Sequence, residues 1–130
     1  MRSLAPAFLA AALVLAGCSD PERSAARAVS RAGPAQLRAD AARLSKDVFA
    51  AHGANLRVLR PIETPESFQQ LQPKSVNAYP DGFALILRIE GQRREGIYIT
   101  PAGLDHPPAA QNGEHFSPLA DGIYWFTFGG

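Results

Sequence analysis

The period of the apolar positions changes once along the chain. Leu37, Ala41, Leu44, Val48 and Ala51 recur at i, i+4, i+7, i+11 and i+14, which is a single stripe on a helix. Phe49 widens that stripe, and Arg38, Asp40, Arg43, Lys46 and Asp47 take the remaining surface. Pro34 suits a first helical position, where its missing N–H would be unpaired anyway. Gly53 offers the left-handed cap that ends many helices. The pattern therefore predicts an amphipathic helix over 34–52, with one face to bury.

From Asn55 the spacing turns to alternation and short apolar runs. Residues 56–60 predict a strand stopped by Pro61, and 65–71 a short helical turn opened by Thr64-Pro65. Residues 75–79 predict a weak strand, Pro80-Asp81-Gly82 a turn and 83–90 a strong strand. In that strand Phe83, Leu85, Leu87 and Ile89 share one face, and Ile86, Arg88 and Glu90 the other. A polar hairpin over 91–95 leads to a strand at 96–100, and 123–128 closes the chain. The expected architecture is α+β: one amphipathic helix packed on a four- to five-stranded, mainly antiparallel sheet. Residues 101–122, with four prolines and three glycines, are expected to be a long loop, either functional or unstructured.

Ahead of the helix, residues 19–33 (SDPERSAARAVSRAG) carry one aliphatic side chain larger than Ala, namely Val29. That composition predicts a flexible tether rather than a packed element, with an extended reach of roughly 50 Å at about 3.3 Å per residue. The first seventeen residues are different again. Arg2 precedes an apolar run from Leu4 to Gly17 with no acidic group before Asp20. A basic start, an apolar middle and small residues at the exit describe a secretory signal peptide. The run falls short of the roughly twenty residues that span a bilayer core.

At Leu15-Ala16-Gly17-Cys18 the segment closely resembles the lipobox of bacterial lipoprotein precursors. The resemblance covers residues 1–18 and implies cleavage between Gly17 and Cys18. It also implies a diacylglyceryl thioether on the Cys18 sulfur and acylation of the new amine. Residues 1–17 would then be a removed signal peptide, 18–33 a lipidated tether and 34–130 a single small α+β domain. Ser19 directly after the cysteine implies the inner leaflet of the outer membrane, facing the periplasm; Asp20 leaves the inner membrane as the alternative. Cys18 is the sole cysteine, so no internal disulfide is available to an exported chain.

Charge adds one feature. The chain has 13 Lys and Arg against 12 Asp and Glu, which excludes a strongly basic nucleic-acid binder. The balance is uneven: 19–60 hold eight basic and four acidic residues, and 61–130 hold four and eight. The basic half is the one next to the expected anchor, where anionic headgroups attract Arg and Lys.

Recognisable catalytic signatures are missing: there is no G-x-S-x-G, phosphate loop, dinucleotide glycine pattern, H-E-x-x-H or C-x-x-C. His52 falls at the predicted helix end, where it favours the negative end of the dipole. Asp105-His106 and Glu114-His115 are the one arrangement with metal-ligand chemistry, and His106 and His115 are weak candidates only. In the last strand Tyr124, Phe126 and Phe128 face one way and Ile123 and Trp125 the other, so both sides are apolar. Tyr124, Trp125 and Phe126 are its weak ligand-binding candidates. That suits a doubly covered strand, or a ligand-binding aromatic platform. The sequence thus points to a lipid-anchored envelope protein without cofactor or catalysis, acting as an interaction or envelope-maintenance module. Its partners would be membrane lipid through acylated Cys18 and an envelope protein or glycan. The alternative is a peptide- or saccharide-binding module built from the 101–122 loop and the terminal aromatics.

Overall fold

The computed structural model describes residues 20–52, 56–104, 110 and 113–129. The expected signal peptide, the cleavage site at Gly17 and the lipid site at Cys18 lie outside these residues, as do Gly53 and His106. The chain begins with helix α1 (Pro21–Ala32), followed by α2 (Pro34–His52), strand β1 (Arg57–Leu59), a 3-10 turn (Pro61–Glu63) and α3 (Glu66–Gln69). Then come β2 (Ser75–Tyr79), β3 (Gly82–Glu90), β4 (Arg93–Ile99), β5 (His115–Ala120) and β6 (Ile123–Phe128). The six strands form one antiparallel sheet in the order β1-β2-β3-β4-β6-β5, with the helices on one side. The fold is α+β, with one strand more than the pattern predicts.

Two expectations are corrected by local chemistry. The segment read as a tether is helix α1. Asp20 caps it, its carboxylate accepting from the Glu22 N–H at 3.0 Å and the Arg23 N–H at 3.4 Å, and Pro21 occupies the first turn. Ala25 and Val29, one turn apart, are buried in the main core. Gly33, at φ +95°, ends α1, its N–H donating to the Val29 carbonyl, and its own carbonyl accepts from Leu37 inside α2. Small side chains let α1 lie close, so little apolar area suffices to dock it.

The second correction concerns the long loop. Residues 115–120 are an edge strand paired with β6, from His115 opposite Thr127 to Ala120 opposite Ile123. Pro118 and a register shift between Pro118 and Ala120 obscure its alternation in the sequence. The 91–95 hairpin is likewise tighter than expected, with β4 starting at Arg93.

The main core lies between the helices and the sheet. Leu37, Phe68, Val76, Phe83, Leu85, Ile97, Ile99 and Ile123 are fully buried there, and Trp125 joins them. A bulge in β3 between Ile86 and Arg88 changes the face assignment beyond it. Leu87 stays with the core, but Ile89 pairs with Arg94 and is half exposed on the opposite side. The predicted Phe83-Leu85-Leu87-Ile89 face therefore breaks at its last residue.

Candidate functional site

Alternation through the paired strands puts Tyr79, Ala84, Ile86, Tyr98, Phe116, Tyr124, Phe126 and Phe128 on the side of the sheet away from the helices. Ala84, Ile86, Tyr98 and Phe126 are buried there as a second cluster, with Tyr79, Phe116, Tyr124 and Phe128 partly buried around them. No helical residue belongs to this cluster among the described residues. The rings cover one another instead.

Tyr98 is the centre. Its ring meets Phe116 edge-to-face at 5.5 Å and Phe126 at 6.4 Å, and stacks on Tyr79 at 6.2 Å. Phe116 also meets Tyr124 edge-to-face at 6.4 Å, and Phe126 stacks on Phe128 at 5.8 Å. Edge-to-face pairing matches the positive ring edge to the negative face of its neighbour. Gly82 makes room for the arrangement, since a Cβ there would sit 2.6 Å from the Tyr98 ring. The Tyr98 hydroxyl donates to the Asp81 carboxylate. Burial, and then that carboxylate, push the phenol far above its ordinary range, so Tyr98 stays neutral and acts as a donor.

The sequence candidates divide across the sheet. Tyr124 and Phe126 belong to the open aromatic side, whereas Trp125 is buried between sheet and helices, opposite Ile97. The three therefore do not form one platform. His115 is exposed at the start of β5, opposite Thr127. Among the described residues no three His, Cys, Asp or Glu side chains gather as a metal site. Phe116 and Tyr98, which carry the cluster, were not singled out by the sequence. Their signal would have been the alternation of aromatic positions across three neighbouring strands, legible only once strand order is known.

Two polar sites lie on the helix side. Asp40 is buried and accepts from Ser67 at 2.6 Å, from Gln36 at 3.0 Å and from Arg43. Burial alone would raise its pKa, but the hydrogen bonds from Ser67, Gln36 and Arg43 outweigh it and hold the carboxyl below its usual range. Its lone pairs are taken up in tying α2 to α3, so it is a fixed anion rather than a base. Arg38, expected on the helix surface, is buried. Its guanidinium donates to the carbonyls of Thr100 at 3.1 Å, Pro101 at 3.0 Å and Leu104 at 2.7 Å, and to Asp121 at 3.3 Å. Gly122 lies beneath it, where a Cβ would come within 2.3 Å of the guanidinium.

No family model, curated protein or solved structure matches this chain. No helix among the described residues is long and apolar enough to cross a membrane.

Proposed function

We propose that this protein is a lipid-anchored, periplasm-facing envelope protein that works without catalysis, docking a partner protein on the open aromatic side of its sheet. The observation that carries the reading is the cluster around Tyr98, six aromatic rings on a sheet face over which no described helix lies. Aromatic residues concentrate at the buried centres of protein interfaces, where they bring large area at low entropic cost. Ring geometry favours a protein over a sugar. Interplanar angles of 81–90° between Phe116, Tyr124, Phe126 and Tyr98 turn three of the five ring pairs across one another. Only Tyr79 on Tyr98 and Phe126 on Phe128 lie near parallel, so the six rings offer no continuous shelf for a pyranose. Docking by strand addition is disfavoured at both edges: β1 has three residues, and β5 carries Pro118 and a bulge.

Anchoring rests on the lipobox resemblance at Cys18. Cys18→Ala should abolish labelling by a clickable fatty acid and leave the precursor uncut; processing and membrane partition that persist would overturn it. For the docking face, a photo-crosslinking amino acid at Phe128 should give one defined protein adduct in cells. The same group at Lys46, exposed on α2, should give none. Tyr124→Ser should weaken the Phe128 adduct. Identical adducts from both positions, or competition by envelope glycan alone, would sink the protein-docking reading.

A further inference from the structure

Helix α1 has two opposite faces. At 100° per residue, Arg23, Arg27 and Arg31 are centred roughly 180° from Ala25 and Val29. Ala25 and Val29 are buried against the core, and the three arginines are exposed. None of the three guanidinium groups pairs with an acidic side chain among the described residues. The row therefore points away from the buried face of α1, with Arg23 bordering Pro118 and Leu119 of edge strand β5.

Its distance from the expected lipid is short. Residues 18–20 are all the chain between the acylated cysteine and the first turn of α1. Fully extended they reach about 10 Å. The headgroup layer of one leaflet is about 5–7 Å deep, and salt screens charges over about 8–10 Å. A domain held so closely keeps Arg23 and its neighbours within range of the phosphates.

We propose that Arg23, Arg27 and Arg31 bind anionic lipid headgroups, laying α1 along the bilayer and turning the aromatic face toward the periplasm. This rests on the lipid-anchor reading of Cys18. Each arginine near an anionic surface shifts such an equilibrium by roughly fivefold, so three give a preference of about a hundredfold. Of the acidic residues at this end of the helix, Asp20 is occupied in capping α1 and Glu22 is half-buried, and both border the same surface depression as Arg23.

The test uses lipidated protein produced from the full chain and reconstituted into vesicles of phosphatidylcholine, with or without phosphatidylglycerol. A fluorophore on Ser30→Cys, between the arginines, reports proximity to a headgroup quencher; one on Asn77→Cys reports the open side of the sheet. Quenching at residue 30 should rise several-fold in the anionic vesicles and fall again in high salt, while residue 77 stays unquenched. The triple change Arg23→Gln, Arg27→Gln, Arg31→Gln should return residue 30 to its neutral-vesicle value, with the melting curve unchanged. Equal quenching in both vesicle types, quenching at residue 77, or a crosslink from residue 30 to a protein in place of lipid would overturn the proposal. Mass spectrometry of the Cys18 peptide separates the two readings. An acylated Cys18 with no response at residue 30 removes the arginine contact alone, and an unmodified Cys18 removes the anchor and the contact with it.

Discussion

Arg38 shows how far one side chain can depart from the pattern around it. Stripe arithmetic sets it about 100° from the centre of the Leu37-to-Ala51 stripe, which on a free helix means an exposed flank. Three carbonyls of the 100–104 segment, fixed where β4 ends, instead make a socket that only a planar fork fits. Removing it would leave the buried Thr100 carbonyl without this donor, at about 1–3 kcal/mol, while the part-buried Pro101 and Leu104 carbonyls turn to water at smaller cost. Arg38→Ala should therefore lower the unfolding free energy by about 2–4 kcal/mol in urea titration, out of the roughly 5–15 typical of a domain. Arg38→Lys should recover little of it. Asp121→Ala should cost at most about 1 kcal/mol, because the Asp121 side chain is 97% exposed and its ion pair is screened. Equal losses at 38 and 121 would refute the socket. Asp40 predicts a pH effect of definite sign. Its folded pKa lies below the unfolded value, so its contribution is complete above about pH 5 and is lost as pH falls through the depressed folded value. Asp40→Asn should destabilise the domain at neutral pH, with the difference from wild type shrinking on acidification in denaturant titrations between pH 7 and 2.5. A gap that stays constant would assign Asp40 to packing alone.

At the scale of elements, α2 and the central strands were legible because their period is carried by large side chains. Leu37, Phe83, Leu85 and Ile97 are buried as alternation or helical spacing requires. Leu44, central in the predicted stripe, is only partly buried, so stripe position did not rank depth. Leu37→Ala should cost about 2–5 kcal/mol through transfer and cavity terms, and Leu44→Ala clearly less. A melting series that ranks them the other way would mean α2 is rotated. Helix α1 is missed when its small apolar side chains are weighed alone, although Arg23, Arg27 and Arg31 recur opposite Ala25 and Val29 at helical spacing. The cap chemistry marks it too: Asp20 before Pro21, and Gly33 after Ala32. β5 was hidden by its proline and bulge, and the face of Ile89 by the bulge in β3. If α1 is docked through Ala25 and Val29, amide hydrogens over 25–32 should exchange far more slowly than in a tether and should speed up in Val29→Asp. Fast exchange across α1 in the unmutated protein would restore the tether.

Across the whole molecule the sheet divides two kinds of apolar surface that composition alone cannot separate. One side is an aliphatic core closed by helices; the other is an aromatic layer closed by its own rings. The last strand contributes to both, as the alternation of Tyr124, Phe126 and Phe128 against Ile123 and Trp125 predicts. The site was therefore half legible: its aromatic composition was visible, whereas its membership depended on strand order. The division assigns opposite consequences to neighbouring residues. Trp125 is 6% exposed within the main core, so Trp125→Ala should cost about 3–5 kcal/mol. Its fluorescence should be blue-shifted in the folded protein and indifferent to a partner on the far side of the sheet. Tyr124 and Phe128 are partly buried at the rim of the aromatic layer, and their truncation removes less packing. The double change Tyr124→Ser, Phe128→Ser should leave the thermal midpoint far closer to wild type than Trp125→Ala alone, while abolishing the partner adduct formed in cells from a crosslinker at Phe116. Unfolding as severe as that of Trp125→Ala would make the aromatic layer a second structural core. Normal folding with the adduct retained would move the docking surface elsewhere on the molecule.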